Sequence, residues 1–320
     1  MNYGLPYQGS KNRIAKRLVE ALPAAPVLYD VFCGGCAVTH AAMLSGKYQH
    51  FVINDRRGWL PDAFQEAIHG GYAHEDRWIS REDFKRLKST DAYAALCFSF
   101  GNNARTYMYA PPLERYKRAL HYAIFWRDFA PWAALCPETA DALAAGLAPI
   151  EDRKQRRIQA GKFIVESLKQ QLSAGTLSPD ILEKPIYRQI RRSKGAMTTV
   201  ETLQNLESLE RLQSLERLPD TLTARSGDYR ELCFDEPGII YCDPPYKDTA
   251  DKSKDYADIS FDAEAFYSWC EAQKLPVYIS EYQMPEERFA CIAEWDKVTC
   301  MAAKTIKHVT ERLWRPRIQL

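Results

Sequence analysis

Val27-Leu28-Tyr29-Asp30-Val31-Phe32 runs into Cys33-Gly34-Gly35-Cys36-Ala37, and His50-Phe51-Val52-Ile53-Asn54-Asp55 follows shortly downstream. Both apolar runs are strand-like. Between them, Ala37 to Leu44 is rich in alanine, is closed by Ser45-Gly46 and predicts a helix. Strand, glycine turn, helix, strand is a βαβ unit, and strands apolar along their length belong to a parallel sheet covered on both faces. Glycines there permit positive φ and let a ligand approach the backbone, although a strand-to-helix turn can need glycine for itself. No third glycine completes the G-x-G-x-x-G fingerprint of nicotinamide-binding folds. Asp55 ends the second strand, where a carboxylate can accept hydrogen bonds from ribose hydroxyls. Turn and acid together fit a nucleoside cofactor that lacks a pyrophosphate.

Strand signals resume late, at Leu222 to Arg225, Gly238 to Cys242 and Val277 to Ser280. A helix from Asp262 to Lys274, capped by Asp262 or Ser260, separates the last two. Lys297 to Met301 and Arg312 to Arg315 are expected to pair as a hairpin. From Arg57 to Thr221 aromatics, short helical stretches, Pro111-Pro112 and basic residues dominate instead. The expectation is an α/β protein with a Rossmann-like core of residues 1–56 and 222–320. Its sheet is mostly parallel and ends in an antiparallel hairpin, and residues 57–221 form a mainly helical insertion. Leu203, Leu206, Leu209, Leu212, Leu215 and Leu218 recur every third residue. That period precesses about 60° per step on an α-helix, so it makes no single apolar stripe. A helix packed on several sides, or a short duplication in a connector, would accommodate it.

Asp243-Pro244-Pro245-Tyr246 follows the apolar run Gly238 to Cys242, at the carboxyl edge where open α/β sheets bind ligands. Two prolines stiffen the chain and remove two N–H donors while leaving carbonyl acceptors. With the Asp243 carboxylate, the turn offers acceptors without competing donors. An exocyclic amino group, with two N–H bonds to donate, suits it. Such bonds would draw the nitrogen toward a tetrahedral form and free its lone pair for an electrophilic methyl. Tyr246 offers a face for the base, worth roughly 1–3 kcal/mol in stacking. A base inside a duplex would first have to flip out, at a cost of about a few kcal/mol. Asp-Pro and Pro-Pro also serve as plain strand-ending punctuation.

The 320 residues are 46% apolar and 27% charged, a globular profile, and no apolar run nears the ~20 residues of a membrane span. The N-terminus lacks the basic-then-apolar layout of a secretory signal, so the expected location is the cytoplasm. Nine scattered cysteines suit reduced thiols better than a disulfide framework. Cys33 and Cys36 form a lone CxxC without a second pair at zinc-binding spacing, so no metal is expected. Residues 151–200 hold eleven Lys/Arg against five Asp/Glu, +6 within a chain of net charge +1. That asymmetry is either a footprint for a polyanion or a solvated helical face.

These motifs resemble the Dam-like DNA adenine methyltransferases. Asp-Pro-Pro-Tyr after an apolar strand, with Asp30-Val31-Phe32-Cys33-Gly34-Gly35 upstream, carries the likeness, over residues 7–55 and 226–314. The order also agrees: Gly9-Ser10-Lys11, the glycine turn, a long target-recognition insertion, then the acceptor motif. The resemblance implies S-adenosylmethionine as methyl donor, S-adenosylhomocysteine as product, and no metal. It places Lys11 beside the cofactor, Phe32 and Gly34 along its methionine and adenosine parts, and Asp55 on its ribose. Asp228 and Tyr229 match the pair that contacts the cofactor's adenine, and Asp243 also borders the cofactor. Asp243 and the Pro244 carbonyl would hold the target amino group, with Tyr246 stacked on the base. Glu281 and the stretch Glu311 to Trp314 resemble late family segments without an assigned role. Cys36 stands where the family often has glycine.

The implied partner is double-stranded DNA, met by a monomer or weak homodimer with no membrane association, and the sequence leaves open whether a restriction endonuclease counterpart exists. Asn102, Asn103 and Arg105 in Ser99 to Tyr107, with Arg188, Arg191, Arg192 and Lys194, are the candidate DNA contacts. Lys247 to Ser260 would either fold over the flipped base or form a surface loop. Cytosine amino methylation is the nearest alternative, although related cytosine enzymes more often carry serine in place of Asp243. RNA or protein-amide methylation and an inactive DNA-binding relative are the other readings. Intact Lys11, Asp55, Asp228, Asp243 and Tyr246 speak against inactivity.

Overall fold

The computed structural model describes residues 2–192, 204–218, 221–245, 261–301 and 305–319. The chain divides into two compact units, Met1–Gly71 with Leu215–Leu320, and Tyr72–Ser214. The first unit is built on a seven-stranded sheet of order β3-β2-β1-β4-β5-β7-β6. Its strands are β1 (Val27–Asp30), β2 (His50–Asp55), β3 (Leu222–Ser226), β4 (Gly238–Cys242), β5 (Val277–Glu281), β6 (Phe289–Met301) and β7 (Thr305–Pro316). β1 to β5 run parallel, and β7 lies antiparallel to both β5 and β6. Successive strands run outward from β1 through β2 to β3 on one side and from β4 to β5 on the other. The order therefore reverses between β1 and β4, and the crevice at their carboxyl ends is where ligands of such sheets bind.

Helix α1 (Ala15–Ala21) precedes β1, and α2 (Ala37–Met43) and α3 (Trp59–Ile68) follow β1 and β2. All four residues of β1 are buried, as both-face coverage requires. Val27, Tyr29 and Val31 join Ile240, Phe266, Cys270, Ile279 and Trp314 in one core. Asp30, alternating to the other face, accepts a 2.6 Å hydrogen bond from the Thr39 hydroxyl of α2. α3 packs on β2 and β3. That packing explains why the first segment of the sheet unit extends beyond residue 56 to Gly71.

The second unit is helical: α4 (Arg81–Leu87), α5 (Ala92–Cys97), α6 (Pro111–Phe125), α7 (Ala130–Leu135), α8 (Pro137–Leu147), α9 (Arg153–Ser173), α10 (Pro185–Arg192) and α11 (Gln204–Gln213). Leu206, Leu209 and Leu212 on α11 are all buried, as are the adjacent Asn205 and Ser208. The three-residue period thus belongs to a helix covered over a wide arc. Leu203 lies outside the described residues. The sheet unit resumes with α12 (Ala263–Ala272), whose N-cap Asp262 accepts the Ala265 amide. Ser260, the other candidate cap, lies outside the described residues.

The hairpin differs from expectation in register. Lys297 to Met301 faces Thr305 to Val309, whereas Arg312 to Arg315 faces Ala290 to Glu294. The two polar-apolar segments sit on partner strands but at opposite ends of a ladder far longer than their own length. A short alternating pattern reports that a strand exists and leaves its partner residue open.

Gly238 marks the tightest strand contact. A Cβ there would press on the Val27 carbonyl oxygen and come within 3.0 Å of the Tyr29 ring. Gly238→Ala should therefore strain the β1–β4 pairing and destabilise the protein by about 1–3 kcal/mol. Urea unfolding of the variant against wild type measures this. An unchanged midpoint would mean that the ladder absorbs the methyl.

Candidate active site

Lys11 opens a 3-10 turn, Lys11–Arg13, and its side chain is only 7% exposed. Its Nζ lies 2.6 Å from Asp243 Oδ1 and 3.4 Å from Glu311 Oε1. Asp243 leaves the end of β4, and Glu311, fully buried, belongs to β7. One ammonium thus ties the N-terminal turn, the acceptor motif and the antiparallel hairpin together. Burial acts to lower the Lys11 pKa, but the Asp243 and Glu311 charges outweigh it and hold the ammonium above its ordinary value.

At the neighbouring strand end, Gly34 takes φ 48°, and Cys36 takes φ 55° and ψ 32°, a left-handed conformation that costs a non-glycine residue roughly 1–2 kcal/mol. The turn forms despite the cysteine, closed by the Cys36 amide on the Cys33 carbonyl at 2.7 Å. Burial pushes both thiol pKa values up, Cys33 well above the ordinary range. That disfavours the thiolate on which redox or metal chemistry depends. Among the described residues no group of three or more His, Cys, Asp or Glu is placed to hold a metal ion.

Asp55 is partly engaged by the protein itself. Its Oδ2 accepts the Gly34 amide at 3.0 Å and its Oδ1 the Arg57 amide at 2.9 Å. Burial nevertheless raises its pKa, against the pull of those two amides. Burial also pushes Asp30 up to about 7, opposed by the Thr39 hydrogen bond and reinforced by Asp243 and Asp55. The crevice is crowded with acids, and a bound cation would relieve them. A would-be Cβ on Gly34 meets nothing within 4 Å, so the turn leaves room above it.

Phe32 and Tyr229 form one aromatic wall, ring centroids 5.3 Å apart, continued by Phe261 and Phe266. Asp228 caps the 3-10 turn Tyr229–Glu231 and chelates Arg230, 2.8 Å to each of two guanidinium nitrogens. Those bonds hold its pKa down at about 2. Open space above Gly34, the buried Asp55 carboxylate and the Phe32–Tyr229 wall thus lie around the carboxyl ends of β1, β2 and β3.

Beside the crevice, Pro244, Pro245, Phe261, Phe266, Ile279, Glu281 and Met284 line a cavity of about 330 Å³. Pro244 is buried and Asp243 is 20% exposed at the turn that borders it. Tyr246 and the loop Lys247 to Ser260 lie outside the described residues. Glu281 and Glu311 are the buried groups whose surroundings the linear sequence left unassigned. Beyond their likeness to late family segments, their signal was a charge at or within an apolar strand, in Ile279-Ser280-Glu281 and Glu311-Arg312-Leu313-Trp314.

In the helical unit, the Asn102 amide donates to the Leu96 carbonyl at 2.7 Å and to the Ser208 hydroxyl at 2.9 Å. Asn103 Oδ1 accepts the Arg105 and Thr106 amides. Both asparagines therefore brace the loop from Ser99 to Tyr107, which is closed by an antiparallel bridge between its end residues. Arg105 is half-buried on that loop. Several cations of the +6 stretch are also structural. Arg156 donates to the carbonyls of Ile124, Ile150 and Glu151, Arg157 chelates Glu210, and Lys184 pairs with Glu138. Arg188 pairs with Glu183 on the surface. Arg191 and Arg192 end α10 with side chains outside the described set, as is all of Lys194.

A mostly parallel sheet of this order with an antiparallel final hairpin is a Rossmann-like methyltransferase fold, and its switch-point crevice suits a nucleoside cofactor. Residues 7–107 match the family model of the D12 class N6 adenine-specific DNA methyltransferases. Over that segment the chain is similar to adenine-specific DNA methyltransferases, which supports the Dam-like resemblance of its motifs. The match covers Lys11, the glycine turn, Asp55 and the loop to Tyr107. No curated protein matches the chain.

Replacing Lys11 by Met should leave Glu311 buried and Asp243 facing it without their shared cation. A loss of about 3 kcal/mol in unfolding free energy is expected. The double variant Lys11→Met/Glu311→Gln should recover part of it, and equal losses in single and double variants would show that the pairing carries no stability.

Proposed function

We propose that Asp243 and the Pro244 carbonyl are the acceptors that hold the amino group of the flipped adenine while it takes the methyl group. The observation that carries this reading is the Lys11–Asp243 contact of 2.6 Å at the switch point of the sheet. Lys11 fixes the carboxylate in place and balances its charge, so the turn is preorganised before any base arrives. Asp243 then accepts one amino hydrogen and the Pro244 carbonyl the other, which localises the lone pair on the nitrogen. S-adenosylmethionine supplies an electrophilic methyl on a sulfonium. Attack of the nitrogen forms the N–C bond, the S–C bond breaks, and the surplus amino proton leaves along the Asp243 hydrogen bond. Positioning and electrostatics are sufficient chemistry for such a donor.

In the same reading, Phe32, Gly34 and Asp55 seat the cofactor chain and ribose, and Asp228 and Tyr229 flank its adenine. The acid-crowded crevice favours the cationic donor over the neutral sulfide product, which assists product exchange. Tyr246 stacks on the target base. The helical unit, with the loop Ser99 to Tyr107 and the cations of α10, meets duplex DNA, and the enzyme works where DNA is, in the cytoplasm of a bacterium or an infected host. Because Asn102 and Asn103 brace their loop, sequence reading falls to groups that the loop presents, Arg105 among them, more than to the two amides.

Asp243→Asn keeps the shape of the turn but replaces an acceptor by a donor. It should abolish methylation of DNA in a methylation-deficient host, read by nucleoside analysis, while equilibrium binding of S-adenosylmethionine persists within a fewfold. Near wild-type methyladenine in that host would remove Asp243 from the chemistry. Binding of DNA should weaken steeply as salt rises, because phosphate contacts release counterions. A flat salt dependence of the binding constant would take the cations of α10 out of the interface.

A further inference from the structure

Glu281 ends β5, and β5 pairs in parallel with β4 through Cys242 and Ile279, so Asp243 and Glu281 emerge from neighbouring strands on the same edge of the sheet. The Glu281 side chain is only 8% exposed and lines the 330 Å³ cavity with Pro244, Pro245 and Met284. Its Oε1 accepts the Tyr282 amide at 2.8 Å. Among the described residues it forms no ion pair; Lys11, whose charge acts on it, sits against Asp243 and Glu311. The only cation among them that acts on this buried carboxyl is the Lys11 ammonium, at longer range than an ion pair and weaker than the effect of burial. The Asp243 carboxylate and the Pro244 carbonyl already supply acceptors there, so a third acceptor would add repulsion without a partner.

We propose that Glu281 is a base-reading residue of the methylation reaction, donating a hydrogen bond to a ring nitrogen beside the amino group that Asp243 and the Pro244 carbonyl hold. This rests on the assignment of Asp243 as the amino acceptor. Adenine carries an acceptor nitrogen on either side of its amino-bearing carbon, N1 and N7. A pocket with two acceptors and one adjacent donor therefore matches adenine. It clashes with guanine, which presents a carbonyl oxygen where the amino group should be.

The donor form is available at neutral pH. Burial raises the Glu281 pKa to about 8, opposed by the Tyr282 amide and reinforced by the Asp243 charge. The groups that face it are Asp243 from β4, Lys11 from the N-terminal turn, Glu311 from β7, Tyr267 from α12 and the adjacent Tyr282. Lys11, Tyr267 and Tyr282 are all held above their ordinary values and keep their protons through this window. Above about pH 8 Glu281 loses its proton, and with it the donor.

The test measures kcat/KM for methyl transfer from labelled S-adenosylmethionine to unmethylated genomic DNA, from neutral to alkaline pH. Wild type should fall as pH rises through about 8, and Glu281→Gln, whose amide donates at every pH, should not share that fall. Duplexes bearing the sequence methylated in cells, with the target replaced by 1-deazaadenine or 7-deazaadenine, form the second arm. Wild type should lose about tenfold or more on one analogue, and which one identifies the nitrogen. Glu281→Ala should lose a similar factor on adenine and be indifferent to that replacement. The proposal is overturned if wild type and Glu281→Gln share the same alkaline fall, or if wild type accepts both analogues as well as adenine. Thermal melting and S-adenosylmethionine binding of Glu281→Gln separate a folding defect from a reading defect. Activity in Asp243→Asn would instead sink the acceptor assignment, whatever Glu281 does.

Discussion

The ammonium of Lys11 is the contact on which the sheet unit converges. Three chain segments far apart in sequence meet at it: the first 3-10 turn, the end of β4 and the middle of β7. Each of the two carboxylates would be costly to bury alone, and a lysine 7% exposed would be equally so. Together they compensate, and the arrangement holds the Asp-Pro-Pro turn at a defined place on the sheet edge. The same constraint explains why the short N-terminal segment belongs to the sheet unit although it precedes the first strand.

Around that contact the crevice gathers carboxyl groups whose ionisation is resisted. Asp30 and Asp55 are raised by burial, and Glu281 is raised to about 8. Such crowding would be a liability in a site for a phosphate-rich cofactor. For a donor that carries a sulfonium it supplies complementarity, and it is consistent with the absence from the sequence of the third glycine of a pyrophosphate-binding turn. Protonation of selected carboxyls converts the crowd into a set of acceptors and donors.

The helical unit illustrates a limit of reading charge from composition. A +6 stretch suggests a polyanion surface, yet Arg156 satisfies carbonyl oxygens and Arg157 and Lys184 are paired with acids inside the unit. The asparagines of the Ser99 to Tyr107 loop likewise spend hydrogen bonds on their own backbone and on Ser208. A side chain able to bind DNA is equally able to brace a loop, and only its neighbours distinguish the two.

The sequence by itself determined the parallel core, because Val27 to Asp30, His50 to Asp55 and Gly238 to Cys242 are short, largely apolar runs, and local pattern suffices to make such strands. It also singled out Asp243-Pro244-Pro245, since the removal of donors by proline is a property of the residues themselves. Only the tertiary structure decided the strand order, the register of the β6–β7 hairpin and the unit boundary at Gly71, all of which depend on pairing between distant segments. The roles of Lys11, Glu281 and Glu311 belong to the same class. Whether a charged side chain is a solvated ornament or a buried partner is set by burial and by what lies within about 4 Å, and neither quantity is encoded in its immediate neighbours along the chain.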